Sequence, residues 1–384
     1  LKLLILSSSG FGHGSMYPFV HYKKELDSSF GLNAKEIICD NLQEKLQHIK
    51  KIDCQIVIIT IPWNTDRTKA HDFYEEVARI KDRKRIIHFD FGDGNQSPFF
   101  GILPYVDLYL KQYLSRDVTD YDKRFLGASQ FIEYLVNKGI VENSIQSEIW
   151  TNLFQSKIPK AHANKLILGW NFALWKRMIY LAEGRKRIVT LGFNTLPTLA
   201  LSTVKEGVDR LRSTFGLKNE CIDVYCRANL YKGWTKTHRE MTIEMLNRLP
   251  SKYNVLSSIQ RVSLGEYYRE MERSKIFVSP SGWCEYTPKD YEAMLFKTLL
   301  IKPSVEHIVT EPDVLIPDET YVPVKWDMSD LNEKCEYYLN HEKERLRIAD
   351  RAFEVISSYY RSKAFLRKIR QAIDTIDMSE REND

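Results

Sequence analysis

The sequence lacks what several large classes of protein require. Its six cysteines, Cys39, Cys54, Cys221, Cys226, Cys284 and Cys335, include no CxxC pair, which argues for reduced thiols against a disulfide framework or a zinc site. No stretch approaches the roughly 20 apolar residues of a membrane span, and the opening LKLLIL breaks into SSSGFGHG too early for a signal peptide. There is no internal repeat and no low-complexity segment. Charge of one sign is also scarce. The net charge of +5 is mild, and bases mix with acids except in short clusters such as Lys81 to Arg85 and Arg185 to Arg187, so nucleic acid is not implied as a partner. Peripheral contact with anionic lipid stays open, because each clustered Lys or Arg contributes about 1 kcal/mol near such a surface. These readings point to a soluble, cytoplasmic protein without a structural metal.

What is present is 384 residues, 43% of them apolar, enough for two cores in units of about 100–200 residues. Short β-branched runs alternate with amphipathic segments. Leu3 to Ser7, Glu36 to Cys39, Gln55 to Pro62, Arg85 to Phe91 and Tyr105 to Leu110 are predicted strands, with helices over Tyr17 to Phe30, Leu42 to Lys50 and Thr68 to Lys81. A second series has strands at Arg187 to Phe193, Cys221 to Cys226, Asn254 to Ile259, Lys275 to Ser279 and Thr298 to Lys302. The fold class is therefore α/β, with two Rossmann-like domains. Pro159 and Gly169 mark the segment Ile158 to Asn171 as the linker, with a hinge near Trp170. The predicted boundaries are 1–170, 171–355 and a C-terminal helical piece, 356–384, with a frayed end.

Three constellations carry chemistry. In KIFVSPSGWCEYTPKDYEAMLFKTLLIKP, Lys275 to Pro303, a strand and a polar loop containing Gly282 lead to a helix capped by Thr287 and begun by Pro288. Glu285 before that helix and Glu292 on it flank an N-terminus suited to a phosphate, while the carboxylates suit hydroxyls. In CIDVYCRANLYKGWTKTHRE, Arg227 and Lys232 offer a planar fork and a point charge to phosphate oxygens, and Gly233 permits close backbone approach. His238 either contacts phosphate or caps its helix. In SSSGFGHGSMYPF, Gly10, Gly12 and Gly14 are too tightly spaced for a dinucleotide fingerprint. The same turn presents His13, whose imidazole suits proton removal from an acceptor hydroxyl. HFDFGDGNQ places His88, Asp90 and Asp93 at the same sheet edge, so either aspartate is an alternative base. Two residues stand between the two aspartates, where a DxD metal motif has one.

The glycine-rich first loop, the R-x4-K-G turn and the SPSGW-E-x6-EA strand–loop–helix together resemble a glycosyltransferase of the GT-B fold. SPSGWCEYTPKDYEAMLFKTLLIKP and ETYVPVKWDMSDL are similar to the donor half of bacterial surface-polysaccharide (group 1-like) glycosyltransferases. The resemblance spans most of the chain and implies two Rossmann-like domains facing across a cleft, with a last helix crossing back to the first. It also implies a nucleotide-sugar donor in the second domain and a glycan or lipid-linked glycan acceptor at the first. By it Arg227 and Lys232 hold the diphosphate, Glu292 the ribose, and Glu285 or the backbone at Gly282 the sugar, with Thr287 at the same helix end. Six residues separate Glu285 from Glu292, where many retaining members have seven and Cys284 stands in that register, so inversion and retention both stay open. The expected activity is metal-independent glycosyl transfer in cell-surface polysaccharide synthesis, in the cytoplasm or at the inner face of the membrane, with no cofactor. A sugar-nucleotide epimerase and a non-catalytic sugar-nucleotide-binding subunit are the competing readings.

Overall fold

A computed structural model describes residues 1–80, 84–126, 129–141, 157–184, 222–230 and 233–381. The predicted strand at Arg187 to Phe193, together with Cys221 and Lys232, lies outside the described residues.

The first sheet comprises β1 (Lys2–Ser7), β2 (Asn33–Ile38), β3 (Ile56–Ile59), β4 (Arg85–Asp90), β5 (Leu108–Lys111) and β7 (Leu166–Leu168), in the order β2-β1-β3-β4-β5-β7. All neighbours are parallel. Strands covered on both faces are apolar throughout, and IVII of β3 is wholly buried. One face carries α1 (Phe11–His21) and α2 (Lys23–Phe30), and the other α3 (Leu42–Lys51) and α4 (Arg67–Ile80). Asn41 starts α3 by accepting the Gln43 and Glu44 N–H groups at 2.8 and 3.1 Å.

The second sheet comprises β8 (Ile222–Arg227), β9 (Val255–Ser258), β10 (Ser274–Val278), β11 (Leu299–Pro303) and β13 (Val322–Val324), ordered β13-β11-β10-β8-β9 and again parallel. In both sheets the order reverses beside the first described strand, between β1 and β3 and between β8 and β10. Such switch points leave a crevice beyond the carboxyl ends of the strands. Two Rossmann-like units are thus present.

Three structures join the units. Strand β6 (Tyr113–Ser115) from the first half pairs antiparallel with β12 (Ile308–Thr310) from the second. Helix α5 (Gln130–Asn137) packs Phe131, Ile132 and Leu135 against Trp234 of the second unit. Helix α12 (Ala364–Arg381), the last, buries Phe365, Ile369 and Ile373 in the core beneath β1 and β3. Among the described residues no helix is long and apolar enough to cross a membrane. Cys39, Cys54, Cys226, Cys284 and Cys335 are free thiols, all buried.

The predicted helix at Tyr17 to Phe30 is in fact two, and the first begins at Phe11. The glycines of the first loop therefore start a helix more than they form a turn. Gly10 takes a positive φ of 65°. A Cβ on Gly12 would lie 2.2 Å from Ser8 Oγ and 2.7 Å from Thr60 Oγ1, so glycine is what lets α1 pack this close to the strand ends.

Candidate functional site

The loop after β10 is fixed by a buried acid–base pair. Asp290 accepts hydrogen bonds from Ser279 Oγ at 2.5 Å and from the Thr287 N–H at 2.8 Å, and its carboxylate lies 3.1 Å from Lys302 Nζ. Lys302 also donates to the Glu285 carbonyl at 2.8 Å. With Thr287 as N-cap and Pro288 next, helix α9 (Pro288–Leu295) starts where the sequence predicts. Thr287 thereby serves the helix start, its Oγ1 donating to Asp290 Oδ1 at 3.3 Å. Gly282 donates its N–H to the Cys284 carbonyl at 3.1 Å, and a Cβ there would sit 3.2 Å from the Arg239 guanidinium.

Glu292 lies just beyond the first turn of α9 and is buried. Its Oε1 is 2.9 Å from the guanidinium of Arg177, on α6 (Lys176–Ala182), and accepts from Tyr268 Oη at 2.9 Å, on α8 (Leu264–Glu272). Burial pushes its pKa above the usual carboxylate range against the pull of Arg177.

Glu292 opens onto a cavity of about 400 Å³ beyond the carboxyl ends of β8 and β9. Arg177, Arg227, Arg261, Lys289 and Asn229 line it with Glu292. Four basic side chains around one carboxylate make a concave positive surface, where low-dielectric walls concentrate the field. Arg227 is braced, its Nε and Nη2 each donating to Glu270 at 2.5 Å and its Nη1 to the Gln260 carbonyl at 2.8 Å. Lys289 Nζ donates to the Arg227 carbonyl at 2.6 Å, and burial, then Arg239, lowers its pKa. An anion in the cavity would offset that desolvation.

Glu285 does not line this cavity. Its Oε1 accepts from Ser129 Oγ at 2.7 Å, and its Oε2 lies 2.8 Å from His307 Nε2. Burial opposes the charged carboxylate, yet His307 and Ser129 outweigh it and hold the pKa below normal. The two glutamates thus occupy different environments, one at the cavity and one at the seam between the units.

The predicted bases separate as well. Asp90 is buried in an ion pair with Lys111 at 3.3 Å and accepts from Tyr109 Oη at 2.8 Å. Burial would raise its pKa, but Lys111 and His88 bring it down to about 2. Asp93 goes the other way: burial raises it to about 6, against the pull of Lys111 and with the Asp90 charge adding to the rise. Its charge acts on Cys284 and Tyr286 of the second unit, which places it at the seam. His13 lies on α1 with Nδ1 2.9 Å from Glu36 Oε1. His238 is buried on α7 (Trp234–Leu246), with Nε2 3.1 Å from the Trp326 carbonyl, and burial lowers its pKa to about 4. It is therefore a neutral core histidine.

Sequence reasoning missed Arg177, Arg261, Lys289, His307 and Ser129. Lys289 had a signal, since it stands second in a helix already assigned to phosphate. The others reach their partners from distant segments and carry no local mark. Groups of side chains able to hold a metal, among the described residues, are Cys39, Glu44 and His48, and His71, Asp72 and Glu75; none of these lines the cavity.

No protein-family model matches the sequence, and no curated protein matches it. Solved structures do. A glycosyltransferase from Rickettsia africae is 12% identical with a TM-score of 0.49, covering 98% of each chain. A trehalose-phosphate synthase from Burkholderia vietnamiensis is 9% identical with a TM-score of 0.49, over 100% of this chain and 99% of that one. An alpha-glucosyltransferase solved with UDP-glucose and DNA is 11% identical with a TM-score of 0.46, over 96% and 99%. These are among the solved structures that this chain is similar to.

Proposed function

We propose that the protein is a glycosyltransferase of GT-B architecture, taking a nucleotide diphosphate sugar into the cavity at Glu292 and passing the sugar to a hydroxyl of a glycan or lipid-linked glycan. The observation that carries this reading is the cavity itself: four basic side chains around one buried carboxylate, beyond the carboxyl ends of β8 and β9. The cations match a diphosphate, and Glu292 matches a vicinal diol such as ribose, because a carboxylate accepts from two hydroxyls at once. Lys232, next to Gly233 in the sequence, is assigned to the same diphosphate.

Transfer forms a bond between the acceptor oxygen and the anomeric carbon while the bond from that carbon to the diphosphate oxygen breaks. The acceptor proton goes to a base, and the departing nucleoside diphosphate keeps the electron pair. Arg177, Arg227, Arg261 and Lys289 meet the charge that grows on it, so fixed side chains can do the work often given to a divalent cation. We assign the base to Asp93. His13 is engaged with Glu36 and Asp90 with Lys111, whereas a carboxyl titrating near 6 is largely ionised at neutral pH and still basic enough to take a proton. The role in cell-surface polysaccharide synthesis belongs to this proposal.

The test is to incubate the protein with nucleotide sugars, with and without acceptor glycans, and to measure nucleoside diphosphate release. Release that depends on acceptor supports transfer. Interconversion of a free sugar nucleotide with no acceptor would overturn it in favour of epimerisation.

A further inference from the structure

Cys39, Glu44 and His48 form a cluster that glycosyl transfer does not use. Cys39 directly follows β2, and its N–H donates to the Ser7 carbonyl at 2.9 Å. Asn41 then starts α3, which puts Glu44 in the first turn and His48 one turn further along the same face. The pattern in the sequence is C-x4-E-x3-H. Its i, i+4 spacing sets carboxylate and imidazole side by side, and the short Asp40–Asn41 turn brings the thiol to them. The sulfur, one carboxylate oxygen and one imidazole nitrogen all lie within 4.8 Å of one another.

Glu44 Oε1 stands 3.7 Å from His48 Nε2, beyond hydrogen-bond range. In a tetrahedral zinc site with bonds of about 2.0–2.3 Å the ligand atoms are about 3.4–3.6 Å apart, so side-chain shifts of about 1 Å complete the set. The cysteine is buried, whereas the Glu44 side chain is 54% exposed and that of His48 28%. One inner ligand and two accessible ones give an ion a path in and leave a fourth position for water. Lys45 supplies a second observation. Its ammonium, wholly buried, donates to the Leu6 carbonyl at 3.1 Å and to the Cys39 sulfur at 3.9 Å. A buried cation aimed at a sulfur favours the thiolate, the form that binds metal. The thiolate and the Glu44 carboxylate cancel the charge of a divalent ion, so Lys45 faces a neutral centre and holds its ligand sulfur by a hydrogen bond.

We infer that Cys39, Glu44 and His48 bind a divalent transition-metal ion of the zinc class, which ties the end of β2 to the first two turns of α3. Binding sends the Cys39 thiol proton to solvent. The sulfur, the Glu44 oxygen and the neutral His48 nitrogen each donate a lone pair to the ion, and no oxidation state changes. Sulfur and imidazole ligands select against magnesium and calcium, which take oxygen. The other candidate group, His71, Asp72 and Glu75, has no sulfur and is engaged elsewhere: His71 Nε2 lies 3.1 Å from Tyr105 Oη, and Glu75 accepts from Arg79 at 2.8 Å. The lack of CxxC pairs argues against a multi-cysteine zinc framework but does not bear on a site with one cysteine. The ion would stand outside the cavity at Glu292, where arginine and lysine supply the charge.

The experiment titrates the reduced full chain with Co²⁺, a spectroscopic stand-in for Zn²⁺, and then with Zn²⁺, followed by absorption and thermal melting. The wild type should show a thiolate-to-cobalt charge-transfer band in the near ultraviolet that Zn²⁺ abolishes. Zn²⁺ should also raise its melting temperature, and Mg²⁺ should not. Cys39→Ser should remove the band. Losing a group that merely orients a metal ligand costs about 10- to 100-fold in affinity, so losing a ligand in His48→Gln should weaken Co²⁺ binding at least about 100-fold, and Glu44→Gln at least about tenfold. His48 is partly exposed on α3, so this variant keeps the test open where Cys39→Ser fails to fold. Absence of the band in the reduced wild type would overturn the inference. A band that survives unchanged in Cys39→Ser or in His48→Gln would overturn it too, because the metal would then sit on other cysteines.

Discussion

The carboxylate of Glu292 lies 2.9 Å from the guanidinium of Arg177, and only the arginine retains substantial exposure, 32% of its side chain against 1%. The pair spans the join between α6, which leads into the second unit, and α9, whose Lys289 and Glu292 line the basic cavity. Glu292→Gln keeps the shape but loses the charge and one acceptor. A hydrogen bond to a charged group is worth about 1.5–3 kcal/mol, so kcat/KM for the donor should fall roughly 10- to 150-fold. The same change leaves the partly buried Arg177 without its carboxylate, and the melting temperature should fall too. Adding Arg177→Met should recover stability but not activity; recovery of both would remove Glu292 from the donor site.

Lys289→Ala and Lys232→Ala should each weaken nucleoside diphosphate binding about 10- to 150-fold, the loss of one charge-assisted bond. Lys289 costs the free protein a desolvated ammonium, so its alanine variant should also be no less stable than the parent without ligand. Calorimetry of the two variants side by side measures the first effect and thermal melting the second. Unchanged affinity in Lys289→Ala would contradict the placement of the diphosphate.

Asp93→Asn should abolish most transfer while leaving donor binding intact, and the wild-type rate should rise with pH through about 6 as Asp93 ionises. The sign for stability follows from linkage. The folded pKa lies above the unfolded value of 3.8, so the folded state holds the proton more tightly, and stability attributable to Asp93 is lost as pH rises from about 4 through 6. His88, lowered by burial to about 4, has the opposite slope over a similar window and loses stability as pH falls from 6.5. Asp93→Asn should therefore steepen the loss of stability on acidification between pH 6 and 4. Urea melts at pH 4, 5, 6 and 7 would show it, and superimposable profiles for the two proteins would contradict it.

Treatment with EDTA should leave most activity, since arginine and lysine side chains supply the positive charge at the cavity. Complete loss restored by Mn²⁺ would contradict this.

Much of the fold was legible because parallel strands buried on both faces are written as local apolar runs, such as Leu3 to Leu6 and Ile56 to Ile59. The start of α9 was legible for the same reason: Thr287, Pro288 and Asp290 act within four residues of one another. The first helix was misjudged because glycine carries two meanings. At Gly12 it marks tight packing of a helix on Ser8 and Thr60, and only the three-dimensional approach distinguishes that from a turn. Glu285 was recognised as special, but not its partners, because Ser129 and His307 lie 156 and 22 residues away and meet it through α5 and the β6–β12 ladder. Arg227 was recognised as basic, but its bidentate hold on Glu270 depends on the packing of α8 beside β8 and has no local signature.

The most direct test is thermal melting of the full chain against a panel of nucleotide sugars and their nucleoside diphosphates, with Lys289→Ala measured in parallel. A ligand that binds only the folded state raises the melting temperature by mass action, equivalent to about 2.7 kcal/mol at a hundred times its Kd. The account predicts a rise for at least one nucleotide sugar and for its nucleoside diphosphate, and a much smaller rise at the same concentrations in Lys289→Ala. No shift with any member of the panel, or equal shifts in both proteins, would contradict it.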